Sequence, residues 1–108
     1  MALLILNRLH CNETTDGPGA DDIYIKVGNE RVWGEQEFGD EQERNIGVSR
    51  LFGSKVRVAV WEGDDAPSLD DRIGAFWVHS SQVGDGEQAE ALTGDGSHYD
   101  LYYTVVAE

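Results

Sequence analysis

Carboxylate side chains are concentrated in two short segments of this chain. The segment "EGDDAPSLDD", residues 62–71, holds five carboxylates in ten residues, and "TTDGPGADD", residues 14–22, holds three more. Both segments are rich in turn-forming residues, so both are predicted to be loops between strands. Carboxylates brought together repel one another, which raises the question of what compensates their charge.

A hard divalent cation is the compensation that fits these residue types best. Calcium takes many oxygen ligands in irregular geometry, which suits flexible loops rich in Asp and Gly, whereas magnesium requires stricter octahedral contacts. Zinc and iron normally recruit histidine or cysteine. The histidines, His10, His79 and His98, are scattered, and none lies in either acidic segment. The residues therefore favour calcium, against the simpler interpretation that acidic loops serve only solubility.

Composition and charge narrow the class of protein. We expect the 108 residues to form one domain spanning 1–108, and 13 glycines against 2 prolines favour short strands joined by turns. The formal net charge of −13 makes nucleic acid binding improbable.

Cys11 is the only cysteine, so no intrachain disulfide can form. The apolar opening "MALLIL" is too short for a signal peptide or a membrane span, and a cytoplasmic location is the default expectation.

Strand patterns dominate the rest of the chain. Alternating or continuous apolar residues predict strands over 3–11, with a bulge near Asn7 and Arg8, and over 23–27, 46–52, 55–61, 72–78 and 99–106, with a short strand at Val32 and Trp33. Residues 34–45 are predicted to be a solvated loop, and 87–92 is the one candidate for a helical turn. The fold class predicted is all-β: an antiparallel β-sandwich of about seven to eight strands with at most one short helical turn near the C-terminal third. Loops cluster at the two ends of a sandwich, so the two acidic segments are expected to converge.

The motifs around the acidic segments resemble those of the C2 domain, a calcium-binding β-sandwich. "ADDIYIKV" is similar to that family's Asp-Pro-Tyr-Val-Lys strand entry, with Ile23 in place of the proline. "VWEGDD" followed by "DDRIG" is similar to its Val-Trp-Asp-any-Asp run, which ends several residues later in Asp, two residues and Gly. The resemblance covers about half of the chain and implies a compact C2-like sandwich.

The resemblance also implies a set of metal ligands for one or two calcium ions. Carried over residue by residue, the resemblance implies five side-chain ligands: Asp16, Asp22, Glu62, Asp64 and Asp70. It also implies the backbone carbonyl of Gly63 as a further ligand. The interval from Asp70 to Gly74 is one residue longer than in the family, so Asp71 is the alternative to Asp70. The expected role is that of a calcium-binding module that acts as a binding or adaptor domain.

Other functions remain as alternatives. The main alternative is a metal-independent protein-interaction or structural domain whose acidic loops serve solubility or a basic partner. Docking to membrane phospholipid is disfavoured by the net charge and by the few apolar residues at the loop tips, Pro18, Ala66, Pro67 and Leu69. A modest basic face for an acidic partner is expected from Lys26, Arg31, Arg50 and Arg57. No catalysis is expected, because the carboxylates that an enzyme would need are already interpreted as metal ligands.

Overall fold

The computed structural model of the chain describes residues 1–15, 19–63 and 70–108. Eight strands make up the fold: β1 (Ala2–Glu13), β2 (Asp21–Val27), β3 (Glu30–Phe38), β4 (Glu43–Phe52), β5 (Lys55–Glu62), β6 (Asp71–His79), β7 (Gln88–Leu92) and β8 (His98–Ala107). Two short 3-10 turns, Ser80–Gln82 and Gly94–Gly96, lie between the last strands. Within the described ranges, no helix has the length and apolar character needed to cross a membrane.

The strands form two four-stranded antiparallel sheets packed face to face. One sheet has the order β4-β1-β8-β7 and the other has the order β3-β2-β5-β6. The all-β antiparallel sandwich predicted from the sequence is therefore confirmed.

Alternation of apolar and polar residues determines which side chains enter the core. In β8 the side chains of Tyr99, Leu101, Tyr103 and Val105 are buried, as their spacing predicts, while the residues between them are partly exposed. Val58 and Val60 of β5 meet them from the other sheet as part of one apolar cluster. Burial of this cluster is the main force that holds the sheets together.

Two local predictions were wrong. Residues 87–92 were expected to form a helical turn, but Gln88–Leu92 is the edge strand β7, paired with β8 from Gln88 opposite Tyr103 to Leu92 opposite Tyr99. Pairing with β8 and burial of Leu92 outweigh the helical propensity of the Ala, Glu and Leu residues there. The segment 34–45 is mostly strand, since β3 continues to the fully buried Phe38 and β4 begins at Glu43.

The topology places four connections at one end of the sandwich. Because successive strands run in opposite directions, the β1–β2, β3–β4, β5–β6 and β7–β8 connections share that end. The predicted bulge in β1 is present, as a shift of register between Leu6 and Arg8 in both pairings of that strand. Both acidic segments follow strands that end on this side of the molecule.

Candidate functional site

Three carboxylates from different elements meet at this end of the sandwich. Glu62, Asp71 and Asp95 each place a carboxylate oxygen within 4.8 Å of the others. Glu62 ends β5, Asp71 begins β6, and Asp95 lies in the turn between β7 and β8. Cross-strand partners project to the same face of a sheet, and Glu62 pairs with Asp71 on one side and with the buried Ile23 on the other. The register of β5 therefore directs both acids inward.

The turn that carries Asp95 is pressed against β6. A Cβ atom on Gly94 would collide with the backbone oxygen of Ile73, so only glycine allows this approach. Asp95 has positive φ (56°), a conformation that Asp tolerates better than most residues. The Ser97 side chain closes the turn by donating from Oγ to the Gly94 carbonyl oxygen at 2.6 Å. Asp95 is thus held beside Asp71 by backbone geometry.

A buried polar network lies directly beneath Glu62. Asp21, at the start of β2, exposes 2% of its surface and accepts hydrogen bonds from Thr15 and from the Tyr99 hydroxyl. Glu62 exposes 9%, and its Oε2 lies 3.0 Å from Thr15 Oγ1. Burial acts to raise the pKa of Asp21, but hydrogen bonds from Glu62, Tyr99 and Thr15 outweigh it, so that pKa is lowered. These hydrogen bonds favour the charged form of Asp21.

The same network changes the ionisation of two neighbouring groups. Burial, and then the hydrogen bond to Asp21, raise the pKa of Tyr99 far above its usual range, so the phenol remains a proton donor. Burial raises the pKa of the Cys11 thiol to about 11, against a smaller opposing effect of its hydrogen bond with Tyr99. These groups are neutral at physiological pH and cannot offset the charge of the acidic cluster.

Among the described residues, the other two side chains expected as ligands, Asp22 and Asp70, lie outside this cluster. Asp22 follows Asp21 in β2, so its side chain points to the opposite, outer face of the sheet and is exposed. Its backbone oxygen accepts a hydrogen bond of 2.8 Å from the Gly63 amide. Gly63 itself lies against the Glu35 carboxylate. Asp16 and Asp64 fall outside the described residues, as do the loop-tip residues Pro18, Ala66, Pro67 and Leu69.

Asp70 and Asp71, the two alternatives for one ligand position, point to different surroundings. Asp71 faces Glu62, whereas an Asp70 oxygen accepts a hydrogen bond of 2.6 Å from the Tyr24 hydroxyl. Burial, followed by this hydrogen bond, raises the pKa of Tyr24 to about 12. Geometry therefore groups Asp71, not Asp70, with the other carboxylates.

Sequence reasoning missed two residues of this region. Asp21 could have been found, because the alternation that places Ile23 and Ile25 inward also places Asp21 inward and Asp22 outward. Asp95 lies in the triplet "GDG", residues 94–96, whose composition by itself indicates only a turn. Its approach to Asp71 depends on packing of the β7–β8 turn against β6, for which the sequence carries no local signal.

A group of cations lies on the outer face of the β3-β2-β5-β6 sheet, across β2, β5 and β6. Four cations project from it, namely Lys26, Lys55, Arg57 and Arg72, and none forms an ion pair with a carboxylate of the described residues. Lys26 lies 5.7 Å from the Trp61 ring centre, and Lys55 lies 4.7 Å from that of Trp77, which is 49% exposed. We call these four cations and two rings the basic–aromatic face.

The expected basic face differs in membership from the observed one. Arg50 lies on β4 in the other sheet, where its Nε is 2.7 Å from Glu30. Arg31 is the cross-strand partner of Lys26 on the same outer face, but it is stacked over the Tyr24 ring and lies 3.9 Å from Glu35. Sequence alone could not sort these cations, because their pairing depends on which strands are neighbours.

Comparison with solved structures identifies the fold. A structure described as that of a C2 domain aligns with a TM-score of 0.63 at 18% identity, covering 99% of this chain and 99% of that chain. The structure of the C2A- and C2B-domains of extended synaptotagmin 2 aligns with a TM-score of 0.57 at 16% identity, covering 97% of this chain and 40% of that chain. The likeness establishes a C2-like β-sandwich, as the motifs led us to expect.

A third structural neighbour is a larger protein. Human GIVD cytosolic phospholipase A2, in complex with methyl gamma-linolenyl fluorophosphonate inhibitor and terbium chloride, aligns with a TM-score of 0.61 at 9% identity. The alignment covers 97% of this chain and 16% of that chain, so this chain corresponds to only a small part of that enzyme. No protein-family model and no curated protein sequence matches the chain.

Proposed function

We propose that this C2-like sandwich is a calcium-binding module that holds an ion between Glu62, Asp71 and Asp95 and serves as a binding or adaptor domain. The single observation that carries the proposal is the convergence of three carboxylate oxygens within 4.8 Å. Like charges at this separation repel, and a divalent cation converts that repulsion into attraction.

The donor set suits calcium better than a transition metal. All three side chains offer oxygen, and the described residues of the cluster include no histidine or cysteine. Asp71 and Asp95 are exposed, which leaves an entry path and room for water ligands, while Glu62 is fixed from below by Thr15. A carboxyl group binds an ion only in its deprotonated form, so binding should weaken at acidic pH.

A structural neighbour supports the choice of a hard cation. One structural neighbour was solved with terbium chloride, a salt of a hard cation that prefers oxygen ligands. We propose a binding role rather than catalysis, because the acids that would serve as an acid and base pair are the same ones that hold the ion.

The first experiment is thermal unfolding of the protein in chelator, in calcium and in magnesium. An ion that binds only the folded state raises the transition temperature, and saturation at a hundred times Kd adds about 2.7 kcal/mol of stability. We expect a rise specific to calcium. An unchanged transition at millimolar calcium would contradict the proposal.

Variants then assign the shift to this cluster. Asp95→Asn and Asp71→Asn each remove one charge without changing shape, and each should weaken calcium binding measured by titration calorimetry. Asp85→Asn is the matched control, because Asp85 is exposed and lies before β7 at the opposite end of the sandwich. Equal weakening by all three variants would indicate a general effect of net charge instead of a site.

A second candidate function is docking of an acidic protein segment on the basic–aromatic face. The supporting observation is that Lys26, Lys55, Arg57 and Arg72 gather on one face of a chain whose net charge is −13, and that none of them is ion-paired with a carboxylate in the part of the chain that the structure describes. Two calcium ions would leave a net charge of −9, which still opposes an anionic leaflet at long range, so an acidic polypeptide is the better partner.

This second function can be tested without calcium. Lys55→Gln with Arg57→Gln should weaken binding of a poly-glutamate peptide, whereas Arg50→Gln, in the other sheet, should not. Strong pelleting with anionic vesicles, in place of peptide binding, would assign the face to lipid instead.

A further inference from the structure

A carboxylate occupies a core position next to the proposed ion site. Asp21 shares the inward face of β2 with Ile23 and Ile25, both of which are fully buried. An apolar residue would pack at such a position without the cost of removing a charge from water. The groups around Asp21 indicate what the charge does there.

Three donors hold the Asp21 carboxylate in one orientation. Its Oδ2 accepts from the Thr15 amide at 2.9 Å and from the Tyr99 hydroxyl at 2.5 Å, and its Oδ1 accepts from Thr15 Oγ1 at 2.7 Å. The partners are themselves buried, with 7% of Thr15 and none of Tyr99 exposed. Charge-assisted bonds of this length are strong and directional.

The network connects three segments at this end of the sandwich, two of which carry Glu62 and Asp95. Thr15 begins the β1–β2 loop, Glu62 ends β5, and Tyr99 follows the turn that carries Asp95. Thr15 Oγ1 lies between the two carboxyl groups, 2.7 Å from Asp21 Oδ1 and 3.0 Å from Glu62 Oε2. A rotation of Asp21 would therefore move Thr15, and Thr15 would release Glu62.

We propose that Asp21 is a positioning residue of the ion site, which fixes Thr15 and through its hydroxyl sets the orientation of the Glu62 carboxylate. The inference rests on the proposed calcium function and adds to it a buried layer that contacts no ion. Residues that hydrogen-bond to metal ligands commonly change metal affinity by about 10–100-fold when they are replaced.

Thr15 offers the sharpest test, because its hydroxyl can be removed without changing its shape. Thr15→Val keeps the branched side chain and the amide bond to Asp21 but loses the hydroxyl contacts with both carboxyl groups. We expect the calcium Kd from titration calorimetry to rise about 10-fold. Thr15→Ser keeps the hydroxyl, and we expect it to restore the Kd to within about twofold of the wild type.

A pair of tyrosine variants separates positioning from stability. Tyr99→Phe removes the bond to Asp21, whereas Tyr103→Phe removes the bond between the Tyr103 hydroxyl and Gln82 Nε2, on the same face of β8. Both side chains are buried, so both variants should lower the unfolding temperature. Only Tyr99→Phe should raise the calcium Kd.

The outcomes distinguish this inference from the function on which it rests. A wild-type protein that binds no calcium overturns the proposed function, and the inference fails with it. If the wild-type protein binds calcium, and Thr15→Val and Tyr99→Phe bind it with the same Kd, then only the positioning role of Asp21 is overturned. If Thr15→Val does not fold, as judged by circular dichroism, Tyr99→Phe against Tyr103→Phe decides the question.

Discussion

Glu62 and Asp71 are direct partners across the β5–β6 ladder, and their side chains project to the inward face of the sheet. Like charges directly opposite one another destabilise a pair of strands. The arrangement brings the carboxylates together at a cost in stability, which a bound cation offsets. Glu62, the last residue of β5, is therefore placed to bind a cation as well as to pair with β6.

Replacement of Asp22 distinguishes the ligands implied by the C2 resemblance from those grouped by the structure. Asp22 lies on the outer face of β2, so Asp22→Asn should leave the calcium Kd nearly unchanged, whereas Asp71→Asn should raise it about 10-fold or more. Titration calorimetry on both variants provides the comparison. Loss of binding in Asp22→Asn with normal binding in Asp71→Asn would move the ion towards the set implied by the resemblance.

Acid should reduce the contribution of Tyr99 to stability. The pKa of Asp21 is lowered in the folded protein, so its contribution is fully present above the unfolded value of about 3.9 and is lost as the pH falls through the folded value. A hydrogen bond to a charged carboxylate contributes about 1.5–3 kcal/mol, and one to a neutral group contributes less. Tyr99→Phe should therefore cost more at neutral pH than at strongly acidic pH.

Denaturant unfolding of wild type and Tyr99→Phe across this pH range measures the difference. Tyr103→Phe is the control, since its hydroxyl accepts from an uncharged amide and its cost should not change with pH. A cost of Tyr99→Phe that is independent of pH would contradict a charged Asp21.

The sequence predicted most strands because their side chains alternate. In β8 and β5 apolar residues recur at every second position, and this period specifies both a strand and its buried face. β7 lacks that signal, because Gln88–Leu92 contains good helix formers and becomes a strand only through pairing with Tyr99–Tyr103 of β8. Pairing between two segments cannot be predicted from the residues of either segment alone.

The candidate site was predictable to a similar extent. The acidic composition located Glu62 and Asp71 in one loop region, but their meeting depends on the shift of register between Val60 and Trp61 opposite β6. The contribution of Asp95 depends on the approach of Gly94 to Ile73 across two sheets. The residue types were therefore enough to predict an oxygen-ligand site, whereas the identity of the ligands depends on how the strands pack.

The thiol of Cys11 should be unreactive in the folded protein. It is fully buried, and burial raises its pKa to about 11, so neither access nor thiolate is available near neutral pH. A chromogenic disulfide reagent should give no signal at pH 8 until guanidinium unfolds the chain, and then one equivalent, because Cys11 is the only cysteine. Rapid reaction under native conditions would mean that β1 opens locally.

Gly94 should be essential to the position of Asp95. A Cβ atom there would lie 2.9 Å from the Ile73 carbonyl carbon and 3.2 Å from the Arg72 oxygen, with the Ile73 oxygen closer still. Gly94→Ala should therefore push the turn away from β6, lower the free energy of unfolding by about 1–3 kcal/mol and weaken calcium binding. Gly53→Ala is the matched control, because a Cβ there meets nothing within 4 Å. Denaturant unfolding and titration calorimetry test both effects, and wild-type calcium affinity in a destabilised Gly94→Ala protein would remove Asp95 from the ligand set.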